Sequence, residues 1–174
     1  FKDVSQHWAK DFIETLRTSG IIHGAKPGYF RPNEPLTRAE LTKIALNAFG
    51  HSVGPVTAAP FSDVAMDAWY APYIAKAKEL GITQGYANGT FKPDQTINRA
   101  EALKILLAAS GLDTASASAA DFSDVSSGDW FAEYVSFAKN SGIVSGYGDG
   151  RFGPGNPVLR GEMAKIAVKT IELK

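Results

Sequence analysis

The sequence predicts an all-α protein made of three tandem helix–loop–helix repeats. Tryptophan recurs at Trp8, Trp69 and Trp130, 61 residues apart, and 30 residues after each comes an arginine, at Arg38, Arg99 and Arg160. Between these landmarks the same residues return in step without a gap: Gly20, Gly81 and Gly142, then Phe30, Phe91 and Phe152, then Glu40, Glu101 and Glu162. Two stretches of each period carry helical spacing of apolar residues. The repeats run over residues 1–50, 61–111 and 122–174, joined by linkers 51–60 and 112–121. A unit of about 50 residues is too small to hold a comfortable core alone, so one domain of three parts is expected.

Each repeat opens with Phe-x-Asp-Val, at Phe1–Val4, Phe61–Val64 and Phe122–Val125. The first helix follows. Trp8, Phe12, Ile13 and Leu16 fall on one helical face, matched by Trp69, Tyr73, Ile74 and Ala77 and by Trp130, Tyr134, Val135 and Ala138. Gly20, Gly81 and Gly142 end that helix, where a left-handed residue is usual. The next 16 residues, 21–36, 82–97 and 143–158, hold little helical signal but keep glycines, aromatics and prolines at fixed offsets, so they read as ordered loops.

The second helix begins at Thr37-Arg38-Ala39-Glu40, a capping box in which Thr37 accepts from the Glu40 N–H and Glu40 reaches back. Asn98 and Glu101 repeat it. Leu159-Arg160-Gly161-Glu162 does not, because leucine offers no acceptor and glycine costs about 1 kcal/mol against alanine in a helix. The third repeat should therefore start its second helix least securely. Ile44, Ile105 and Ile166, with Leu46, Leu107 and Val168, mark the apolar stripe.

Composition excludes several classes of function. With 18 basic and 18 acidic residues and no basic run, there is no footprint for nucleic acid. No run of 18 or more apolar residues occurs, so no membrane insertion is expected, and no opening resembles an export signal. The chain begins inside a motif, as a piece of a longer protein would. Lack of cysteine removes disulfides and thiolate metal sites, and no metal or cofactor is implied. His7, His23 and His51 share no offset and form neither a triad nor a zinc spacing.

The set formed by Phe-x-Asp-Val, the early tryptophan, Gly-Ile-x-x-Gly-Tyr-x-x-Gly-x-Phe-x-Pro in repeats two and three, and Thr-Arg-Ala-Glu resembles the S-layer homology (SLH) domain over almost the whole chain. The resemblance implies a pseudo-threefold spindle of three prongs around a central helical bundle. It also implies non-covalent anchoring of an S-layer or exoenzyme at the bacterial cell wall, outside the cell. In that family the grooves between repeats bind secondary cell wall polymer, often through pyruvylated N-acetylmannosamine; in some members the target is peptidoglycan.

A pyruvyl sugar presents a carboxylate, hydroxyls and an acetamido methyl. Arginine supplies a planar fork for the carboxylate, and Arg38, Arg99 and Arg160 stand at helix starts, where free N–H groups favour an anion. Gly85 and Gly146 let backbone approach a ligand, while Tyr86 and Tyr147 offer ring faces with a polar tip. Trp69 and Trp130, and more weakly Trp8, complete the ligand-binding candidates. Plainer roles stand beside these: the tryptophans as core, the arginines as partners of Asp3, Asp63 or Asp124, Thr37, Glu40, Asn98 and Glu101 as helix caps, and Asn88 and Asp149 as turn formers. The recurring Lys43, Lys104 and Lys165 offer a second positive charge for the ligand, but they lie about 140° around the helix from the arginines, so a solvated face is the more expected home.

The repeats differ where the site is expected. Ala25 replaces the tyrosine found at 86 and 147, and Leu159 and Gly161 interrupt the arginine motif. If each arginine meets the loop of the next repeat, Arg38 and Arg99 form good grooves and Arg160 a doubly degraded one; the reverse pairing would spread the defects. The first pairing is favoured, and Arg160→Ala should then barely alter binding. Catalysis is not expected, since acids recurring threefold have capping or turn roles. A structural lattice or partner-contact module, touching S-layer neighbours without glycan, is the remaining alternative.

Overall fold

In a computed structural model the described residues are 1–115, 117–119 and 121–174. They form six helices: α1 (Lys10–Thr18), α2 (Arg38–Ala48), α3 (Ala71–Glu79), α4 (Arg99–Ser110), α5 (Ala132–Asn140) and α6 (Arg160–Ile171). Among the described residues no strand forms, only isolated bridges such as Thr37 with Thr96. Positions 116 and 120 of the expected second linker lie outside the described residues.

The second helix of each repeat is buried almost all round, as a central helix must be. In α4, Ala100, Ala102, Leu103, Ile105, Leu106, Leu107 and Ala109 are all buried. Helices α2, α4 and α6 pack on one another, and each first helix packs on the second helix of the preceding repeat: α3 on α2, α5 on α4 and α1 on α6. The last of these pairs closes the arrangement on itself.

Backbone hydrogen bonds close it a second time. Leu36 N–H donates to Val158 O (3.2 Å), Val158 N–H to Ile97 O (3.0 Å) and Ile97 N–H to Leu36 O (3.1 Å). These three residues are fully buried, so each repeat supplies one donor and one acceptor to a ring that none could complete alone.

The repeat's opening motif has a direct physical role. Asp3 accepts from the N–H groups of Phe30 and Arg31, Asp63 from Phe91 and Lys92, and Asp124 from Phe152 and Gly153, at 2.7–2.9 Å. Burial works to raise the Asp3 carboxyl, but the two donated N–H groups together hold it below its ordinary value. The motif's phenylalanine stacks on the loop phenylalanine, with centroids 5.5–5.8 Å apart. It also lies where a side chain on Gly24, Gly85 or Gly146 would stand, 2.4–2.6 Å from a Cβ built there. These loop glycines are thus required by the packing of Phe1, Phe61 and Phe122.

The helix stops are as expected, with Gly20, Gly81 and Gly142 at φ 70–72°. The tryptophans are not where periodicity placed them. Trp8, Trp69 and Trp130 precede helices that begin at Lys10, Ala71 and Ala132, in a turn closed by bonds such as Lys10 N–H to His7 O. They therefore escape the buried face and are 53–59% exposed, which overturns their reading as core.

Candidate functional site

Both capping boxes are present. Glu40 N–H donates to Thr37 Oγ1 (3.2 Å) and Thr37 N–H to Glu40 Oε2 (3.0 Å); Glu101 N–H donates to Asn98 Oδ1 (2.8 Å) and Asn98 N–H to Glu101 Oε2 (3.3 Å). In α6 only half remains, with Leu159 N–H donating to Glu162 Oε2 (2.9 Å).

The other carboxylate oxygen of each glutamate faces the preceding repeat. Arg38 Nη1 lies 3.2 Å from Glu101 Oε1, Arg99 Nη1 2.7 Å from Glu162 Oε1, and Arg160 Nη1 3.2 Å from Glu40 Oε1. The arginine Nε groups donate to the carbonyls of Phe91, Phe152 and Phe30 at 2.7–3.0 Å. All three arginines are buried. Burial draws the Arg160 guanidinium below its ordinary range, against the pull of Glu40 and Glu34. The plainer expectation of arginine–aspartate bridges is thus corrected, because the aspartates are occupied by loop N–H groups and the glutamates take their place.

The pairing left open by the sequence is arginine to the following loop. Arg38 sits 4.8 Å from the rings of both Tyr86 and Phe91, and Arg99 5.0 Å from those of Tyr147 and Phe152. Arg160 lies 4.8 Å from Phe30, and Ala25 offers no second ring. The free helix-start N–H groups expected to receive an anion are already used: Arg38 donates to Gln95 O and Ala39 to Pro93 O, with the same pair at Asn156 and Pro154 and at Glu34 and Pro32. The seam, rather than a ligand, satisfies them.

Outside this seam lie three equivalent grooves, each walled by all three repeats. Arg38, the loop from Ile82 to Tyr86 with Glu101 and Lys104, and Trp130 line one of about 220 Å³. Arg160, the loop from Ile21 to Gly24 with Glu40 and Lys43, and Trp69 line another of about 210 Å³. Arg99, the loop from Val144 to Gly146 with Glu162 and Lys165, and Trp8 line a third of about 60 Å³. Gly85 and Gly146 fall in their expected grooves; Tyr147 packs toward Asn156, whose amide donates to its hydroxyl at 3.3 Å.

The lysines correct the sequence expectation. They are half-buried groove walls, each lining a groove with the arginine of the preceding repeat rather than with the arginine of its own helix. Lys43 Nζ also lies 5.5 Å from the Trp69 ring. Their threefold recurrence was the available signal. Each groove thus joins a cation, an edge of guanidinium, an exposed indole and an isoleucine floor, which suits an acidic sugar with one apolar face. Each holds a single carboxylate. Among the described residues no cluster of three or more potential metal ligands forms, and no helix is long and apolar enough to cross a membrane.

The S-layer homology domain model matches residues 1–42, 60–103 and 121–164. The chain is similar to cell surface glycoprotein 1 of Acetivibrio thermocellus, 36% identical over 87% of the chain and 7% of that protein. It also resembles the surface-layer 125 kDa protein of Lysinibacillus sphaericus (33%, 95% of the chain, 14% of that protein) and amylopullulanase of Thermoanaerobacterium thermosulfurigenes (33%, 99% and 9%). The chain therefore spans only 7–14% of the length of these relatives.

Proposed function

The chain belongs to the S-layer homology family, a family of binding modules, and on that premise we propose that it holds a larger surface protein on the bacterial cell wall by gripping an acidic wall glycan in its inter-repeat grooves. Its place is outside the cell, at the wall. The ligand class is secondary cell wall polymer ending in pyruvylated N-acetylmannosamine. The three repeats act as one domain, since no groove exists without all three. The observation that carries this reading is the meeting, in each groove, of an exposed tryptophan, a half-buried lysine and the arginine edge.

The chemistry of this reading is binding. A hydrolase of this kind needs two carboxylates across a glycosidic bond, and each groove wall carries one, whose two oxygens already serve the helix cap and the arginine.

Calorimetric titration with pyruvylated N-acetylmannosamine, the same sugar without pyruvate and a soluble peptidoglycan fragment tests the assignment. Saturable binding that requires the pyruvate is expected. Binding to peptidoglycan alone keeps the anchoring role and replaces the ligand, and silence with all three overturns glycan anchoring in favour of a lattice or partner contact.

A further inference from the structure

We propose that only two of the three grooves, those of Arg38 with Trp130 and of Arg160 with Trp69, take the acidic acetamido sugar, and that the Arg99 groove beside Trp8 is closed to it. This deepens the glycan-anchoring reading and rests on it. It departs from the order read from the motifs, in which the Arg99 groove has intact motifs and Arg160 the interrupted ones.

Three observations agree. The Arg99 groove offers about 60 Å³ against about 220 and 210 Å³ for the others, so it is the most constricted of the three and the least able to seat an acetamido sugar. Its ion pair is the tightest, at 2.7 Å against 3.2 Å in both open grooves. A ligand carboxylate there must compete with Glu162 for a guanidinium already held at charge-assisted hydrogen-bond distance. The third observation concerns the wall: where the open grooves carry Gln84 and His23, side chains long enough to reach a sugar hydroxyl, the Arg99 groove carries Ser145.

At Arg160 the interrupted motif leaves the groove intact. Gly161 is required by a contact outside it, because a Cβ at this position would stand 2.9 Å from His7 Cε1. Ala25 removes the tyrosine and leaves the Glu40 side chain 35% exposed, against 21% for Glu101 and 18% for Glu162.

Each groove owns one of the chain's three tryptophans, so fluorine NMR of the whole chain labelled with fluorotryptophan reads the grooves separately. The resonances are assigned with single Trp→Phe variants and the chain is titrated with pyruvylated N-acetylmannosamine. The Trp69 and Trp130 signals should move saturably, with two equivalents bound, while Trp8 stays still or responds with affinity weaker by roughly tenfold or more. Saturable movement of Trp8 alongside the others overturns the two-groove assignment and leaves anchoring intact. Stillness of all three overturns both.

Discussion

The inner and outer faces of each seam follow different rules. On the inner face the three copies are nearly superimposable in their bonds: arginine Nε to phenylalanine carbonyl at 2.7–3.0 Å, aspartate to two loop N–H groups, and one member each of the closed ring of Leu36, Ile97 and Val158. On the outer face the grooves range from about 60 to about 220 Å³, although the same arginine, glutamate, lysine and tryptophan line them all. The recurring motif thus specifies closure of the ring, and groove capacity is set by the residues that vary around it.

The largest effect should come from breaking the inner face. Arg99→Ala leaves the Phe152 carbonyl and a mostly buried Glu162 without their partner, and should cost about 3 kcal/mol in a urea titration; an unchanged midpoint would show that the seam does not depend on the arginine. Binding losses in arginine variants therefore need a folding control, whereas tryptophan variants at more than half-exposed positions should shift stability by less than about 0.5 kcal/mol.

A second test concerns Gly161, whose would-be Cβ meets His7, Pro32 O and Ala9. Repeats one and two place Ala39 and Ala100 there, and stand Ala68 and Asp129 where His7 stands. Gly161→Ala should destabilise by about 1 kcal/mol in the native background and stabilise once His7 is alanine, a coupling of about 1 to 2 kcal/mol in a double-mutant cycle. Simple additivity would break the explanation.

The aspartate clamp predicts a pH dependence with a definite sign. The folded Asp3 carboxyl lies below its ordinary 3.8, so its contribution is complete above that value and fades as pH falls through the folded one. The stability gap between the native chain and Asp3→Asn should be present at about pH 7 and narrower at about pH 3; a gap that widens on acidification would contradict the clamp. The smallest effect is expected at Lys92, held at φ 58° where the third repeat has Gly153 at 72°. Lys92→Gly should gain about 0.5 kcal/mol, relief of left-handed strain outweighing the glycine's extra chain entropy. A loss there would mean that the lysine's position 4.5 Å from the Tyr86 ring matters more.

Much of this was legible in the sequence because it is local. Helix stops at Gly20, Gly81 and Gly142, the boxes at Thr37 and Asn98, and the missing acceptor at Leu159 each follow from residues a few positions apart. What escaped depends on contacts between repeats. The plainer reading of the tryptophans as core rests on one helical period that extends through them, yet the helix starts two residues later and turns them outward. The lysines' solvated reading follows from the angle to their own helix's arginine, whereas the arginine that shares their groove lies across the seam. Gly161 read as a defect because His7, in another repeat, is what demands it.

The most direct test of groove anchoring is retention on purified cell walls bearing pyruvylated polymer, comparing the native chain with a Trp69→Ala, Trp130→Ala double variant and following thermal unfolding of both. Loss of wall binding with an unchanged unfolding midpoint is the predicted result. Full retention by the double variant would place the contact with the wall outside the grooves and contradict it.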